Sequence, residues 1–583
     1  MRGKVQTRRH QDRAQSHGDG RSASEPSGFQ NGAEEERQPE RGTRAEESSG
    51  DARLERVVWF SWIGLAAALG LTLVIFALEH APARRQSPPP VPRTAPGAQP
   101  RPVALPQASL TINRGAAVTT VPRSFLGVST EYWTLPIWEH HLPLVEKLLS
   151  LMRAPGDGPL VLRIGGDSAD HAYWENGRYD TPEWAYELTP AWLQEAGTLV
   201  RQTGARLILD LNLVTATPEI AAEWAQAARA ELPARSIVGF EIGNEPDTYS
   251  RQAWLAMLGI GPAVGILPAS ISAAGYAQDF LSYARALSRV APGTPLLGPA
   301  VAHPLLSLPW ISKLLAGRHP GLAEITAHEY PYTACAGIGS PAYPTIARIL
   351  SDRASAGMAR ALRPAVALAH AAGLPFRLTE INSVTCGGRA GVSETFATAL
   401  WAPDALFELL RAGVDAVNVH IRADTINAAF VLTNHGVLAR PLLYGLIMFA
   451  RTLGRDPKLL QVHLRARSSL QLKAWAVSVG RNALHVLLID KGNHPVTVLL
   501  HLPGDGTATI QRLLAPSAAA RSGATIDGQQ LDGAGNWRGA PNIEKLSPGP
   551  HGYQVTVRQQ SAALVSVLHA GPLARTNIHS SRT

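Results

Sequence analysis

Between residues 124 and 453, short apolar runs alternate with longer stretches in which apolar residues recur every three or four positions. This alternation is typical of parallel βα units, and eight apolar runs of strand length can be counted. The chain is therefore predicted to be an α/β protein built on a (β/α)8 TIM barrel. The predicted strands are 125–131, 160–165, 206–213, 237–244, 295–298, 324–330, 376–380 and 416–420, and the predicted helices include 191–202, 219–230, 276–290, 346–372 and 395–412.

Beyond the barrel the pattern changes to strict alternation of apolar and polar positions, as in 470–479 and 483–489, with Gly, Asn and Asp between the runs. Such alternation indicates antiparallel strands, so a C-terminal β-sandwich domain is predicted over 454–572, followed by a flexible tail over 573–583. The stretch 107–123 alternates in the same way. We expect it to join the sandwich from the N-terminal side of the barrel.

The N-terminal part contains one long apolar run. Residues 57–78 comprise 22 residues without a charge, which is long enough for a helix that spans a bilayer. A polar tail predicted to be disordered (1–56) precedes the run, which favours an uncleaved anchor over a signal peptide, and a proline-rich linker (79–106) follows it. Arginines lie on both sides, with a slight bias toward a cytoplasmic N-terminus. The prediction is a single-pass membrane protein whose barrel and β-sandwich are extracytoplasmic.

Composition removes several functional classes. The net charge of +8 is spread along the chain and forms no basic stripe with interleaved aromatics, so nucleic acid is not an expected partner. Two cysteines exclude a disulfide-rich scaffold and a four-cysteine zinc site. Cys335 and Cys386 both follow predicted strand ends, and they are expected either to form one disulfide or to remain buried free thiols.

Two glutamates carry the predicted chemistry. Glu245 stands in Asn244-Glu245-Pro246 directly after the fourth predicted strand, and Glu380 ends the seventh. Active sites of these barrels form at the C-terminal ends of the strands, so both carboxyl groups are expected on one rim. A pair of carboxyl groups is what retaining glycoside hydrolysis needs, one as acid/base and one as nucleophile. The alternative for Asn-Glu-Pro is an ordinary turn with a solvated glutamate.

Further polar groups follow other strands. Arg163 or Tyr330 could keep a nucleophile ionised, although a structural pair between Arg163 and Glu241 is equally expected. The glycine pair Gly387-Gly388 could present backbone N–H groups to a carboxylate on a sugar, or could be a plain turn.

Metal and serine chemistry are not expected. No histidine pair at metal spacing accompanies His328 and His420, which are interpreted as core histidines, so neither a metal nor a cofactor is predicted. The serines of this rim do not lie in a G-x-S-x-G turn, which argues against a serine hydrolase.

These motifs resemble the heparanase and β-glucuronidase family of retaining glycosidases, glycoside hydrolase family 79, over about residues 104–572. The matching stretches are SFLGVSTE (124–131), LRIGGDSAD (162–170), LDLN (209–212), GFEIGNEPD (239–247), AHEY (327–330), TEINSVTCGG (379–388), GVSETF (391–396) and ALW (399–401). The resemblance implies an exo-acting β-glycosidase, most similar to a β-glucuronidase, with a carbohydrate substrate. The alternatives are another retaining β-glycosidase of the same clan and an inactive carbohydrate-binding barrel.

The resemblance also implies a role for each rim residue. Glu245 corresponds to the acid/base and Glu380 to the nucleophile, with Tyr330 as a donor to it. Sugar hydroxyls would be contacted by Glu131, Asp167 and Asn244, and a uronic carboxylate by the N–H groups of Gly387 and Gly388. Two departures bear on uronate recognition rather than on hydrolysis: Cys386 stands where animal heparanases have a tyrosine, and Val419 stands near another such position.

Overall fold

The computed structural model describes residues 106–178, 181–257, 269–317, 319–423, 425–480, 482–502 and 507–568. The predicted polar tail, membrane anchor and C-terminal tail, and all but the end of the linker, lie outside these residues. Among the helices within the described ranges, none is long and apolar enough to cross a membrane. The membrane-spanning helix at 57–78 therefore stays a prediction.

Eight parallel strands close into a barrel, which confirms the predicted architecture. In chain order they are Leu126–Glu131, Val161–Gly165, Arg206–Leu211, Ile237–Ile242, Leu296–Val301, Leu322–Glu329, Phe376–Ile381 and Ala416–His420. The fifth strand continues past its predicted end. Its register against the sixth strand shifts between Pro299 and Val301, where the proline has no N–H to offer the ladder.

Helices cover the outside of the barrel. Their bounds are Thr134–Glu139, Leu142–Leu151, Pro190–Thr203, Pro218–Glu231, Arg251–Met257, Ala273–Val290, Leu308–Ala316, Ile346–Ile349, Met358–Ala371, Phe396–Ala412 and Pro441–Leu453. Several begin at a hydroxyl cap, as at Thr189 and Thr217, whose side chains accept a backbone N–H of the first turn. The predicted helix 346–372 is interrupted by a π-helical turn at Arg353–Gly357, from which the Ser355 hydroxyl donates to buried Asp404 at 2.6 Å.

The second domain is a ten-stranded sheet. Its order from one edge is Thr525–Ile526, Thr507–Leu514, Ser561–Leu568, Ala483–Asp490, Leu472–Val479, Lys458–Ala466, Ala108–Thr120, Val496–His501 and Tyr553–Val557, with Glu544–Leu546 beside Thr507–Leu514. The N-terminal strand Ala108–Thr120 pairs antiparallel with Lys458–Ala466 but parallel with Val496–His501. The predicted antiparallel sheet is thus mixed at this point, because the two neighbours of the inserted strand run in opposite directions to each other.

Both faces of this sheet are buried. Trp475, Leu487 and Leu564 belong to the core shared with the barrel helices, whereas the alternate residues Val486 and Leu488 pack in a second core with strands from the far side of the sheet. The sheet therefore folds over a core of its own, as a sandwich does.

The barrel helix Phe396–Ala412 connects the two domains. Its buried Asp404 accepts from Trp475 Nε1 at 3.0 Å and from Lys491 Nζ at 2.6 Å, both in the β-domain. Because this helix follows the seventh barrel strand, the β-domain also supports the loop after Glu380.

Candidate active site

Glu245 reaches the barrel mouth through an unusual turn. The fourth strand ends at Ile242, and Gly243 has a φ of 78°, where an added Cβ would lie 2.5 Å from Leu213 Cδ2. Glu245 itself has a φ of 45°, a left-handed conformation that a side chain rarely adopts, and Pro246 follows it. Strained backbone of this kind clusters at functional sites. The turn places the Glu245 carboxyl in the cavity at the centre of the rim.

Glu380 is held by groups from three other parts of the barrel. Its Oε1 accepts from Tyr330 Oη at 2.6 Å and lies 3.2 Å from His420 Nδ1, while its Oε2 accepts from Arg163 Nη1 at 3.2 Å. Burial by itself raises the pKa of Glu380, but His420, His328 and Arg163 outweigh it and hold the pKa well below its usual value. Glu380 is therefore a carboxylate at neutral pH, as a nucleophile must be.

The two glutamates lie close together. A carboxylate oxygen of Glu245, one of Glu380 and a ring nitrogen of His328 all fall within 4.8 Å of one another. Retaining glycosidases separate their carboxyl groups by about 5 to 5.5 Å and inverting ones by about 6.5 to 9.5 Å. An oxygen–oxygen approach within 4.8 Å lies on the retaining side of these two ranges and fits direct attack by one carboxylate.

His328 lies at the centre of this arrangement. Its Nδ1 is 2.9 Å from Glu245 Oε1, and the imidazole is fully buried. Burial lowers the pKa of His328, but the carboxylates of Glu380 and Glu245 raise it by a larger amount. The net shift of the pKa is therefore upward. Glu245, His328 and Glu380 are also residue types that ligate divalent cations, and the predicted lack of a metal stays a prediction.

Arg163 serves both of its expected purposes. Besides Glu380, its guanidinium contacts Glu241 Oε2 at 2.8 Å and Asp210 Oδ2 at 2.7 Å, all of them buried. It also donates to Asn244 Oδ1 at 3.0 Å. Since the amide oxygen of Asn244 faces Arg163, its NH2 group is the donor that Asn244 can present to a ligand.

The rim encloses a cavity of about 280 Å³. Its lining residues are Glu131, Asp167, Asn244, Glu245, Tyr330, Glu380, Thr385, Cys386, Gly387, His420, Arg422, Thr425 and Asn427. The structure thus brings together every predicted sugar contact except Gly388, which does not line the cavity. The Gly388 N–H points back to Thr385 O at 3.4 Å, and its φ of 87° belongs to a tight turn beneath Gly387.

Arg422 is a cation of this cavity that sequence reasoning missed. Its Nη1 lies 3.7 Å from Asp167 Oδ2 and 4.0 Å from Glu131 Oε1, and its guanidinium stacks over Trp133 at 5.9 Å. Desolvation in the cleft raises the pKa of Asp167 to about 7, and the charges of Glu131, Glu245 and Glu380 add to this effect. The side chain of Asp167 is nevertheless 51% exposed.

His328 and His420 were also misjudged. Neither is a satisfied core histidine, because Nε2 of each ring is buried without a hydrogen-bond partner among the described residues. Both lie at the C-terminal ends of barrel strands, where the same positional rule found the two glutamates. Applying that rule to histidine would have placed them in the site.

A second cavity of about 140 Å³ continues past the acid/base candidate and shares Asp167, Asn244 and Glu245 with the first. Its other lining residues are Asp170, Thr248, Tyr249, Ser250 and Trp254. Trp254 packs edge-on against Trp184 with ring centroids 5.6 Å apart. This region lies on the Glu245 side of the site, where a leaving group would be placed.

The disulfide between Cys335 and Cys386 is confirmed. It joins the loops after the sixth and seventh strands, which also pair through Tyr332–Thr333 and Val384–Thr385. Because Cys386 and Gly387 line the cavity, the bond supports one wall of the site.

A scan of protein-family models and a search of curated proteins returned no match. Solved structures do match. A 4-O-α-L-rhamnosyl-β-D-glucuronidase of Fusarium oxysporum, in complex with Rha-GlcA, is 18% identical with a TM-score of 0.62, covering 78% of this chain and 99% of its own. An α-L-arabinofuranosidase of Thermotoga maritima, in an arabinose complex, is 16% identical with a TM-score of 0.56, covering 79% of this chain and 100% of its own.

The α-L-arabinofuranosidase of Thermotoga petrophila gives a TM-score of 0.57 at 16% identity over the same shares. At this level of identity the likeness establishes the fold: the chain has the barrel and β-domain of these glycoside hydrolases. The resemblance to the heparanase and β-glucuronidase family stays a prediction.

Proposed function

We propose that this protein is a retaining exo-β-glycosidase that acts on β-glucuronides or closely related β-glycosides. The observation that carries the proposal is the approach of the Glu245 and Glu380 carboxylates to within 4.8 Å at the ends of the fourth and seventh strands. Two such carboxylates also argue against an inactive carbohydrate-binding barrel.

In the first step, Glu380 attacks the anomeric carbon while protonated Glu245 gives its proton to the leaving oxygen. A covalent glycosyl-enzyme forms and the aglycone departs as an alcohol. In the second step, the Glu245 carboxylate takes a proton from water, whose oxygen attacks the same carbon and releases Glu380. Two inversions leave the configuration unchanged, and Glu245 is protonated again.

Two features support an anionic terminal sugar. Arg422 is a permanent cation in the cavity wall, and Gly387 lines the same cavity with its backbone. The cavity, at about 280 Å³, suits one sugar ring, which favours action at chain ends.

The same proposal includes an extracytoplasmic location for the barrel. It is supported by the uncharged run at 57–78 and by the disulfide, since disulfides persist outside reducing compartments.

The test is hydrolysis by the purified full-length chain of a panel of nitrophenyl glycosides, including β-glucuronide and α-L-arabinofuranoside. We expect turnover of β-glucuronide, the β-anomer of the sugar as the first product by NMR, and a loss of about 10³-fold or more in Glu380→Gln. The exposed Glu219→Gln serves as the matched control. No turnover of any β-glycoside, or full activity in Glu380→Gln, would sink the proposal.

A further inference from the structure

His420 lies between Glu380, the proposed nucleophile, and Glu131, a residue proposed to bind the sugar. Its Nδ1 is 3.2 Å from Glu380 Oε1 and 3.0 Å from Tyr330 Oη. Its Nε2 points to the other side, 3.8 Å from Glu131 Oε1. That distance is too long for a hydrogen bond, and within the described part of the chain Nε2 is buried without a hydrogen-bond partner.

A buried nitrogen without a partner costs about 1–3 kcal/mol, so such atoms in native proteins call for an explanation. Both His420 and Glu131 line the cavity, so a sugar bound there lies beside this pair. One hydroxyl placed between them can donate to the Glu131 carboxylate and accept from His420 Nε2–H at the same time. A sugar hydroxyl would satisfy both atoms.

We propose that His420 is a specificity-determining residue: with Glu131 it binds one hydroxyl of the terminal sugar through Nε2, while through Nδ1 it positions Glu380. This inference rests on the proposed function. It makes recognition of that hydroxyl and placement of the nucleophile depend on a single ring.

The charges around His420 fit this role. The facing groups are Glu131 on the first strand, Glu380 on the seventh, Tyr330 directly after the sixth, and Arg422, which lies two residues beyond His420. Burial and Arg422 lower the pKa of His420, but Glu380 and Glu131 raise it by a larger amount. The net shift of the pKa is upward. A protonated His420 ring has two N–H donors, one for each side.

Two substitutions separate the two contacts. In His420→Asn the amide can replace Nδ1 but cannot reach the Nε2 position, whereas His420→Gln reaches the Nε2 position and loses the Nδ1 contact. Each is compared with wild type on the β-glycoside and on its monodeoxy analogues at C2, C3 and C4. The control is His370→Asn, on the outside of the barrel with Asp415 at 2.8 Å.

For wild type we expect one deoxy position to lose about 10- to 100-fold in kcat/KM, the value of a hydrogen bond to a charged group. His420→Asn should reduce that penalty to about 3-fold or less, and His420→Gln should retain most of it. The other deoxy positions and His370→Asn should keep the wild-type pattern. If His420→Asn leaves the wild-type penalty undiminished at each of the three deoxy positions, the inference is overturned.

The same comparison of wild type and variants is made for binding affinity by calorimetry. The probes are a uronic-acid-configured iminosugar and its deoxy analogues. This readout needs no turnover. If wild type hydrolyses nothing, the proposed function fails, while loss of the deoxy penalty in His420→Asn still supports the hydroxyl contact. Probe binding without such coupling, or no probe binding at all, rejects the role of His420.

Discussion

Arg163 Nη1 donates to Glu380 Oε2 at 3.2 Å, although the two residues are 217 positions apart. Arg163 is wholly buried and also contacts the carboxyl groups of Asp210 and Glu241. One cation cannot neutralise three carboxylates. Burial raises the pKa of Asp210 well above its usual value, Glu241 adds to this, and the opposing effect of Arg163 is smaller. The raised pKa of Asp210 thus reflects desolvation of a carboxyl group that shares one buried guanidinium with Glu241 and Glu380.

Replacing Arg163 by lysine should cost both stability and activity. A lysine ammonium cannot hold four groups in a fixed fork, and breaking a buried ion pair costs about 3–5 kcal/mol. We expect the free energy of unfolding in denaturant to fall by that amount. Arg178, which contacts Glu223 at 3.1 Å on the surface, is the control. Arg178→Lys should change the free energy of unfolding by less than about 1 kcal/mol. Equal effects of the two substitutions would show that Arg163 is not the anchor of this network.

Removing the acid/base should depend on the leaving group. Glu245→Ala is expected to lose about 10²–10⁴-fold in kcat on substrates with poor leaving groups, and much less on dinitrophenyl glycosides, which need no proton. Added azide should restore turnover and give the β-glycosyl azide, since Glu245 would no longer screen the second step. The α-azide as the product would contradict a glycosyl-enzyme on Glu380.

The second cavity predicts a leaving-group preference. Trp254→Leu should lower kcat/KM about 5-fold for a β-linked disaccharide, because an aromatic face contributes about 1 kcal/mol to ring packing. A glycosyl fluoride, whose leaving group is one atom, should change by less than about 2-fold on the same reasoning. Trp310→Leu, which replaces a tryptophan packed on Tyr276 at 5.8 Å, is the control. Equal losses on both substrates would mean that Trp254 only supports the fold.

Asp170 should make stability depend on pH. Burial raises its pKa from 3.8 to about 7, although the N–H of Leu213 donates to it. Between about pH 4 and pH 7 the folded carboxyl keeps a proton that the unfolded one has released, so its contribution to stability falls as pH rises. Asp170→Asn removes this titration. Its unfolding free energy relative to wild type should rise by up to about 4 kcal/mol from pH 4 to pH 8.

Denaturant unfolding at several pH values measures this difference, with the exposed Glu231→Gln as the control. A difference between Asp170→Asn and wild type that stays constant across this window would exclude Asp170 as the titrating group.

The disulfide should affect both stability and the site. Cys335 and Cys386 are 51 positions apart, and closing a loop of that length stabilises by about 2–4 kcal/mol. The double variant Cys335→Ser, Cys386→Ser should lose that much in denaturant unfolding and should show a raised KM, because Cys386 and Gly387 line the cavity. Wild type in reductant should match it. A stable variant with unchanged KM would limit the bond to the loop itself.

Strand ends were the informative positions in the sequence. Glu245 and Glu380 could be found because each follows an apolar run of strand length, and in a parallel barrel all such ends share one rim. The interrupted helix at 346–372 could not be predicted, since Ser355 contacts Asp404 from another helix.

By itself, then, the sequence determined the barrel, the two glutamates and the pair of loops that the cysteines join, because strand periodicity and strand ends are local properties. Only the tertiary structure decided how Glu380 is held and what surrounds it. His420 meets Glu131 because the eighth strand closes on the first, where Val419 pairs with Val128, and Arg163 reaches Glu380 across the barrel interior. Such contacts depend on closure of the barrel, which brings together residues that no local pattern relates.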